Sequence, residues 1–239
     1  MQPLKIDCDK LALISKRRAE DFSMNNNVIY EVETRVYFDN PDEAMIALPF
    51  LKQSLDNEIE WKTGSYGLDL FKSGKLLRVS EINWNNSKKN FLGYKEPDIG
   101  KLYNIRIEQD EEITDGIQDS SIVKTLKGNG VLVTPGNVDE VLRSLGYEEF
   151  MSFAGTNLTG KYEDLSLKLL SCPILKYPLL LEIEKTAKTL EEAFNKEKEL
   201  QDFIAGYELK SRVIKKEPPT LLYEAVFNED TTGGFTIDS

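Results

Sequence analysis

Three stretches of this chain place two carboxylates one residue apart among alternating apolar side chains. Successive side chains of a strand point to opposite faces, so residues 28–38 put Glu31, Glu33 and Arg35 on one face and Val28, Tyr30, Val32, Val36 and Phe38 on the other. Residues 102–113 repeat the arrangement, with Arg106, Glu108, Asp110 and Glu112 on one side and Ile105, Ile107 and Ile113 on the other. Glu182 and Glu184 share a face a third time, opposite Leu181 and Ile183. Taken singly, each is the solvated face of an ordinary antiparallel sheet. Turned toward one shared space, they would crowd six carboxylates whose repulsion demands protons or cations. Hard divalent ions take oxygen ligands of this kind, and such clusters occur where Mg2+ or Mn2+ meets a phosphorylated substrate. Arg35, Arg78, Lys95 and Arg106 form the cationic complement. They read either as cross-strand salt bridges on a surface or as clamps for phosphate oxygens in a cavity.

Composition narrows the chemistry. The chain has 239 residues, is 40% hydrophobic and 30% charged, and carries 41 acidic against 30 basic residues for a formal charge of −11. That balance argues against gripping nucleic acid, which needs a basic surface. The sequence contains no histidine, which removes His–Ser and His–Cys pairs and every His metal site. Cys8 and Cys172 lie far apart, fit no CxxC spacing and read as reduced thiols. No apolar run approaches the roughly 18–20 residues of a membrane span, and the N-terminus lacks the succession of a signal peptide. A cytoplasmic location is expected.

The elements that must position the charged residues follow from periodicity. Strands are expected at 28–38, 67–71, 76–82, 91–95, 102–113, 131–134, 149–153, 165–170 and 178–184. Asn40 and Pro41 open a helix expected to run to about Leu55. Asn137 opens another, to Leu145, ended by Gly146. Helices are also expected over 189–204, charged outside with one buried stripe, and over 219–227. Residues 1–27 read as an N-terminal extension, helical in part; 28–227 as the domain; and 228–239 as a flexible tail. The class is α+β with a mostly antiparallel sheet. Trp61 and Trp84 read as packing residues, with stacking on a base or thiamine ring as the alternative.

The ordered motifs resemble the CYTH superfamily, the triphosphate tunnel metalloenzymes. Tyr30-Glu31-Val32-Glu33-Thr34-Arg35 resembles its ExExK signature and Leu76-Leu77-Arg78-Val79 its LRxR strand. Gly93-Tyr94-Lys95-Glu96-Pro97 is similar to a TxKGP-like strand, Arg106-Ile107-Glu108-Gln109-Asp110 to RxExE, and Leu181-Glu182-Ile183-Glu184 to the late FxEIE strand. The resemblance implies an eight-stranded antiparallel barrel, helices packed outside, whose lumen is a polar tunnel. It implies Glu31, Glu33, Glu108, Asp110, Glu182 and Glu184 as ligands of Mg2+ or Mn2+, and Arg35, Arg78, Lys95 and Arg106 as substrate clamps, with Glu31, Glu33 and Lys95 central to catalysis. Three departures stand out: Arg35 replaces the signature lysine, Ser80 stands where a second arginine is expected, and 150–155 lacks the family's KxR pair, leaving Lys161 and Lys168 as loose substitutes.

The implied activity is metal-dependent hydrolysis of tripolyphosphate, thiamine triphosphate or a nucleoside triphosphate. The alternatives are a catalytically weakened nucleotide- or polyphosphate-binding module and a class IV-type adenylyl cyclase. The expected partner is a small triphosphate or nucleotide, with no membrane and no nucleic acid; oligomeric state is open, a homodimer included.

Overall fold

A computed structural model describes residues 29–84, 87–114, 116–127 and 136–227. The expected N-terminal extension, the strand at 131–134 and the tail lie outside these residues. In chain order the elements are β1 (Ile29–Phe38), α1 (Pro41–Ala47), α2 (Leu51–Ser54), β2 (Leu55–Tyr66), α3 (Leu68–Lys72), β3 (Leu76–Trp84), β4 (Ser87–Lys95), β5 (Asn104–Glu112), α4 (Ser121–Lys127), α5 (Val138–Ser144), β6 (Glu149–Tyr162), β7 (Leu165–Ser171), β8 (Leu179–Ala187), α6 (Leu190–Gly206), a 3-10 turn (Lys210–Arg212), β9 (Val213–Ile214) and α7 (Pro218–Phe227).

The strands follow one another as β5-β4-β3-β2-β6-β7-β8-β1, and β1 pairs back onto β5. This closes an eight-stranded antiparallel barrel, the α+β architecture the motifs implied. β1 runs beside β8 along Tyr30–Phe38 on one edge, while its other edge holds β5 only along Ile29–Glu33. Where β5 leaves, β9 takes its place against Arg35 and Val36. In this ring β2 stands four strands from β1 in either direction, directly across the barrel.

The apolar core lies outside the barrel, between strands and helices. The outward face of β1, with Val32, Val36 and Phe38, packs with Ile105, Leu181 and Ile183 against Ala193, Leu200 and Ile204 of α6. On the far side, Leu77, Leu92 and Tyr94 pack against Ile122 and Val123 of α4 and Val141 and Leu142 of α5. Each such side chain contributes about 1.5–3 kcal/mol when fully buried, so the outer layers hold the barrel shut and free its interior for polar groups. The helix starts form as read: Asn40 Oδ1 accepts from the Glu43 N–H at 2.9 Å with Pro41 next to it. Asn137 and Glu140 form a reciprocal capping box.

Two segments differ from the sequence reading. The helix expected to reach Leu55 breaks after Ala47, because Pro49 has no N–H and forces Leu48 out of the helical region, to φ −132° and ψ 78°. The strand expected at 67–71 is the short helix α3, entered through Gly67 at φ +72°, a left-handed conformation that favours glycine. β2 was not expected at all, and β6 runs nine residues beyond the predicted 149–153. Both carry Thr, Ser, Asn and Lys on the inward as well as the outward face, so the apolar–polar alternation that marks a half-buried strand is missing.

The start of β2 packs flush on β6. A Cβ added to Gly160 would collide with the Ser54 carbonyl oxygen, whereas one added to Gly206, at the end of α6, meets nothing within 4 Å. Gly160→Ala is therefore expected to destabilise the protein by about 1–3 kcal/mol, as overpacking does. Gly206→Ala should be neutral or stabilising by up to about 1 kcal/mol. Urea unfolding midpoints of the two variants check this.

Candidate functional site

The barrel encloses a cavity of about 930 Å3. Strand register brings the acidic faces together inside it. β1 and β8 set Glu33 opposite Glu184 and Arg35 opposite Glu182. β4 and β5 set Lys95 opposite Glu108 and Gly93 opposite Asp110, and β3 sets Arg78 beside Gly93. The missing Cβ at Gly93 leaves room for Asp110 and Arg78 to meet across it. Glu31, Glu33, Arg35, Arg78, Lys95, Glu108, Asp110, Glu182 and Glu184 all line the cavity. Arg106 does not. Its guanidinium stands behind Glu217, with Nε 3.0 Å from Oε1, and its Nη1 donates to the Gly74 carbonyl at 3.2 Å.

Arg35 is the hub of the closed end. It is 1% exposed. Its Nε donates to Glu182 Oε1 at 2.9 Å and its Nη1 to Asn104 Oδ1 at 3.2 Å; it is ion-paired with Glu33, and Nη2 lies 3.6 Å from Glu217 Oε1. Lys95 pairs with Glu31 and lies 3.4 Å from Glu108. Arg78 Nη2 donates to Glu108 at 2.7 Å and to Asp110 at 3.3 Å.

Sequence reasoning missed Glu217, which is 5% exposed and sits where α7 enters the barrel end beside Pro218, Pro219 and Leu222. It lies on no strand, so no alternation could flag it. Lys161 and Lys168, read only as loose substitutes for the absent KxR pair, do line the cavity, and Lys168 is ion-paired with Glu182.

The charges shape one another. Burial opposes ionisation of Glu108, yet Lys95 and Arg78 hold its carboxyl down near 2. Burial likewise opposes ionisation of Glu217, which Arg106, Lys95 and Arg35 hold near 2. Glu31 goes the other way: burial, joined by Glu33, Glu108 and Glu184, outweighs Lys95 and raises it well above the usual range. Burial also lifts Glu184 to about 7, with Glu108, Glu33 and Glu182 opposing the relief from Lys95. Seven carboxylates thus share the interior, and burial together with their neighbours' negative charge raises three of them, Glu31, Asp110 and Glu184, above the usual carboxylate range.

This deficit is one a hard cation would fill. Glu33 Oε1 and Glu217 Oε1 are already buried against the guanidinium groups of Arg35 and Arg106, and the carboxylate oxygens that line the cavity form the all-oxygen donor set that Mg2+ or Mn2+ prefers. Among the described residues, no three acidic side chains already stand as a cage for an ion, since Lys95 sits between Glu31 and Glu108. The donors therefore fit a hard divalent ion in chemistry, with the ammonium occupying part of its space.

Solved structures share this arrangement of strands. A Pyrococcus horikoshii protein matches with a TM-score of 0.60 at 20% identity, covering 81% of this chain and 98% of its own. The chain has the CYTH-type tunnel fold. A candidate adenylate cyclase from Vibrio parahaemolyticus matches the tunnel with a TM-score of 0.55 at 16% identity, over 81% of this chain and 97% of its own. A second Pyrococcus horikoshii protein does so with a TM-score of 0.55 at 18% identity, over 80% of this chain and 98% of its own. At these identities the likeness is one of fold. No family model matches the sequence, and no curated protein matches it. No helix among the described residues is long and apolar enough to cross a membrane.

The tunnel's proton balance sets a pH dependence. Glu184 is raised from 4.5 to about 7 in the folded state, so the folded protein binds more protons and loses stability as pH rises from about 4.5 through 7. Glu108 and Glu217, lowered from 4.5 to about 2, cost stability as pH falls from about 4.5 toward 2. In chelator, melting temperature should peak near pH 4.5–5, and Glu184→Gln should flatten the fall toward pH 8. A melting temperature that climbs from pH 5 to 8 would contradict this assignment.

Proposed function

We propose that this chain is a divalent-metal-dependent hydrolase that cleaves a triphosphate inside the tunnel. The observation that carries the reading is the convergence of seven carboxylates with Arg35, Arg78, Lys95, Lys161 and Lys168 on the lining of one ligand-sized cavity. Surface salt bridges contribute little to stability, and a wholly buried network is costly to desolvate, so a fold that concentrates charge in a hollow does so for a charged ligand.

In this reading Glu31, Glu33, Glu108 and Glu184 hold Mg2+ or Mn2+, with Asp110 and Glu182 at the flanks. Held there, such an ion would supply neutralisation of phosphate charge and polarisation of a water molecule. Arg35, Arg78 and Lys95 grip phosphate oxygens, and Lys161 and Lys168 take over from the absent KxR pair. Arg106 acts through Glu217, which it holds in place. Arg35, Arg78, Lys95 and Lys168 already bond a carboxylate, so a phosphate oxygen there exchanges with an acid already in place. The cations then stabilise charge spread over the transferred phosphoryl oxygens as water adds and the phosphoanhydride P–O bond breaks. Orthophosphate and the shortened chain leave.

That same occupancy of four clamps by acids favours one second reading, a binding module that holds a polyphosphate without turnover. The fold neighbour described as a candidate adenylate cyclase supplies a third outcome to separate. Phosphate release from tripolyphosphate, thiamine triphosphate and ATP, with Mg2+ or Mn2+, tests all three. Turnover in the wild type, reduced at least about 100-fold by Glu31→Gln and by Lys95→Met, is expected, a loss of about 2.7 kcal/mol or more. Inactivity toward all three triphosphates would defeat the hydrolase reading. Thermal stabilisation without turnover then points to the binding module. Cyclic AMP with diphosphate points to a cyclase.

A further inference from the structure

Of the groups around Arg35, Glu33, Glu182 and Glu217 are acids and Asn104 is neutral. Asn104 is 3% exposed and opens β5 opposite Glu33. Its Oδ1 accepts from Arg35 Nη1 at 3.2 Å, and its Nδ2 donates to Asp98 Oδ2 at 3.2 Å. Asp98 lies on no strand; it sits in the connection between β4 and β5. Its Oδ1 accepts from the Gly100 N–H at 2.8 Å and the Ile105 N–H at 2.9 Å. Burial raises the Asp98 carboxyl, yet these N–H groups and the Asn104 amide all point at it, so it enters the chain as an acceptor. A carboxylate only accepts. Asp98 therefore decides which way the Asn104 amide faces, with its nitrogen on Asp98 and its oxygen on Arg35.

The connection is tied down through its backbone without this amide. Ile99 N–H donates to the Ile105 carbonyl at 2.9 Å, and Glu197 of α6 accepts from the Leu102 and Tyr103 N–H groups at 2.8 and 3.0 Å. Arg35 has more need of it. A phosphate arriving at the guanidinium repels Glu33, Glu182 and Glu217, and exchange with them frees the group from the partners that orient it. A neutral amide is not repelled. Pinned by Asp98, Asn104 stays on Nη1 while the acids give way. The guanidinium is a rigid planar fork, so a fixed Nη1 restricts where its other N–H groups point.

We infer that Asp98 and Asn104 are positioning residues: Asp98 orients the Asn104 amide, and Asn104 holds Arg35 in place as the acids around it exchange for phosphate oxygens. This rests on the tunnel being a triphosphate site, as proposed above.

The test reverses the chain of hydrogen bonds. Asp98→Asn keeps an oxygen for Gly100 and Ile105 but turns a donor toward Asn104, whose amide must flip and present its own donor to Arg35. In the double variant Asp98→Asn, Asn104→Asp, donor and acceptor trade places and the chain re-forms at unchanged net charge. NMR of the 15N-labelled full chain follows the Arg35 Nε–H, identified by its loss in Arg35→Lys. Asp98→Asn should speed hydrogen exchange there about 10-fold or more, the scale of one unmade buried hydrogen bond, and the double variant should restore it. Calorimetry with tripolyphosphate and Mg2+ should show Asp98→Asn and Asn104→Leu binding about 10-fold or more weakly than the wild type. Circular dichroism checks folding. Should Asp98→Asn not fold, Asn104→Leu, which leaves both Asp98 backbone bonds in place, decides the exchange measurement.

Unchanged hydrogen exchange at Arg35 overturns the inference, as does a double variant no better than Asp98→Asn, or binding that the variants do not weaken. Any of these, with tripolyphosphate still bound and cleaved by the wild type, leaves the hydrolase reading standing. Faster exchange in the variants, with no triphosphate bound by the wild type, defeats that reading and keeps the pair as the support of Arg35.

Discussion

An ion pair buried away from water must be complete, because each missing partner leaves an uncompensated charge worth about 3–5 kcal/mol. Against a total stability of about 5–15 kcal/mol, that is a large share. Arg35 meets this constraint with Glu33, Glu182, Glu217 and Asn104 drawn from four separate segments of the chain. The Glu33 contact lies within β1, but those to Asn104, Glu182 and Glu217 wait on β5, β8 and the start of α7. The barrel's closure and its charge network are therefore one cooperative unit, and the apolar helices packed outside provide the force that assembles it.

The network is balanced unevenly along the barrel. At the closed end, acids and bases match closely enough that Glu182 and Glu217 stay ionised, with Lys168, Arg35 and Arg106 overcoming burial. Around Lys95 the acids outnumber their partners, and Glu31 and Glu184 are raised above the usual carboxylate range. A site that is stable yet short of positive charge is poised to exchange protons for a cation. A fully neutralised interior would offer no such incentive.

Much of this was legible in the sequence, and the exceptions have physical causes. The faces of β1, β5 and β8 alternate acid with aliphatic residues because one side meets helices and the other a charged hollow, so which residues share a face could be read directly. Asn40, Asn137 and Gly146 announced their helix ends through local hydrogen bonding and a left-handed turn. β2 stayed hidden because its inward face mixes Trp61 and Ile59 with Thr63 and Ser65, imitating a loop. Pro49 carried a break signal that the periodicity around it masked. Glu217 could not be found by pattern at all: its role arises from the path of the chain after β9, a tertiary fact with no local signature. Arg106 shares a strand face with Glu108 in the sequence, yet Glu217 intervenes between it and the hollow.

Glu217 also heads α7, its carbonyl accepting from Leu221 N–H at 3.0 Å, while Pro218, Pro219 and Leu222 line the cavity beside it. Cavity wall and counter-ion are thus a single covalent piece. The C-terminal helix is latched by electricity as well as by its leucines, and detaching it would strip two guanidinium groups of their shared anion.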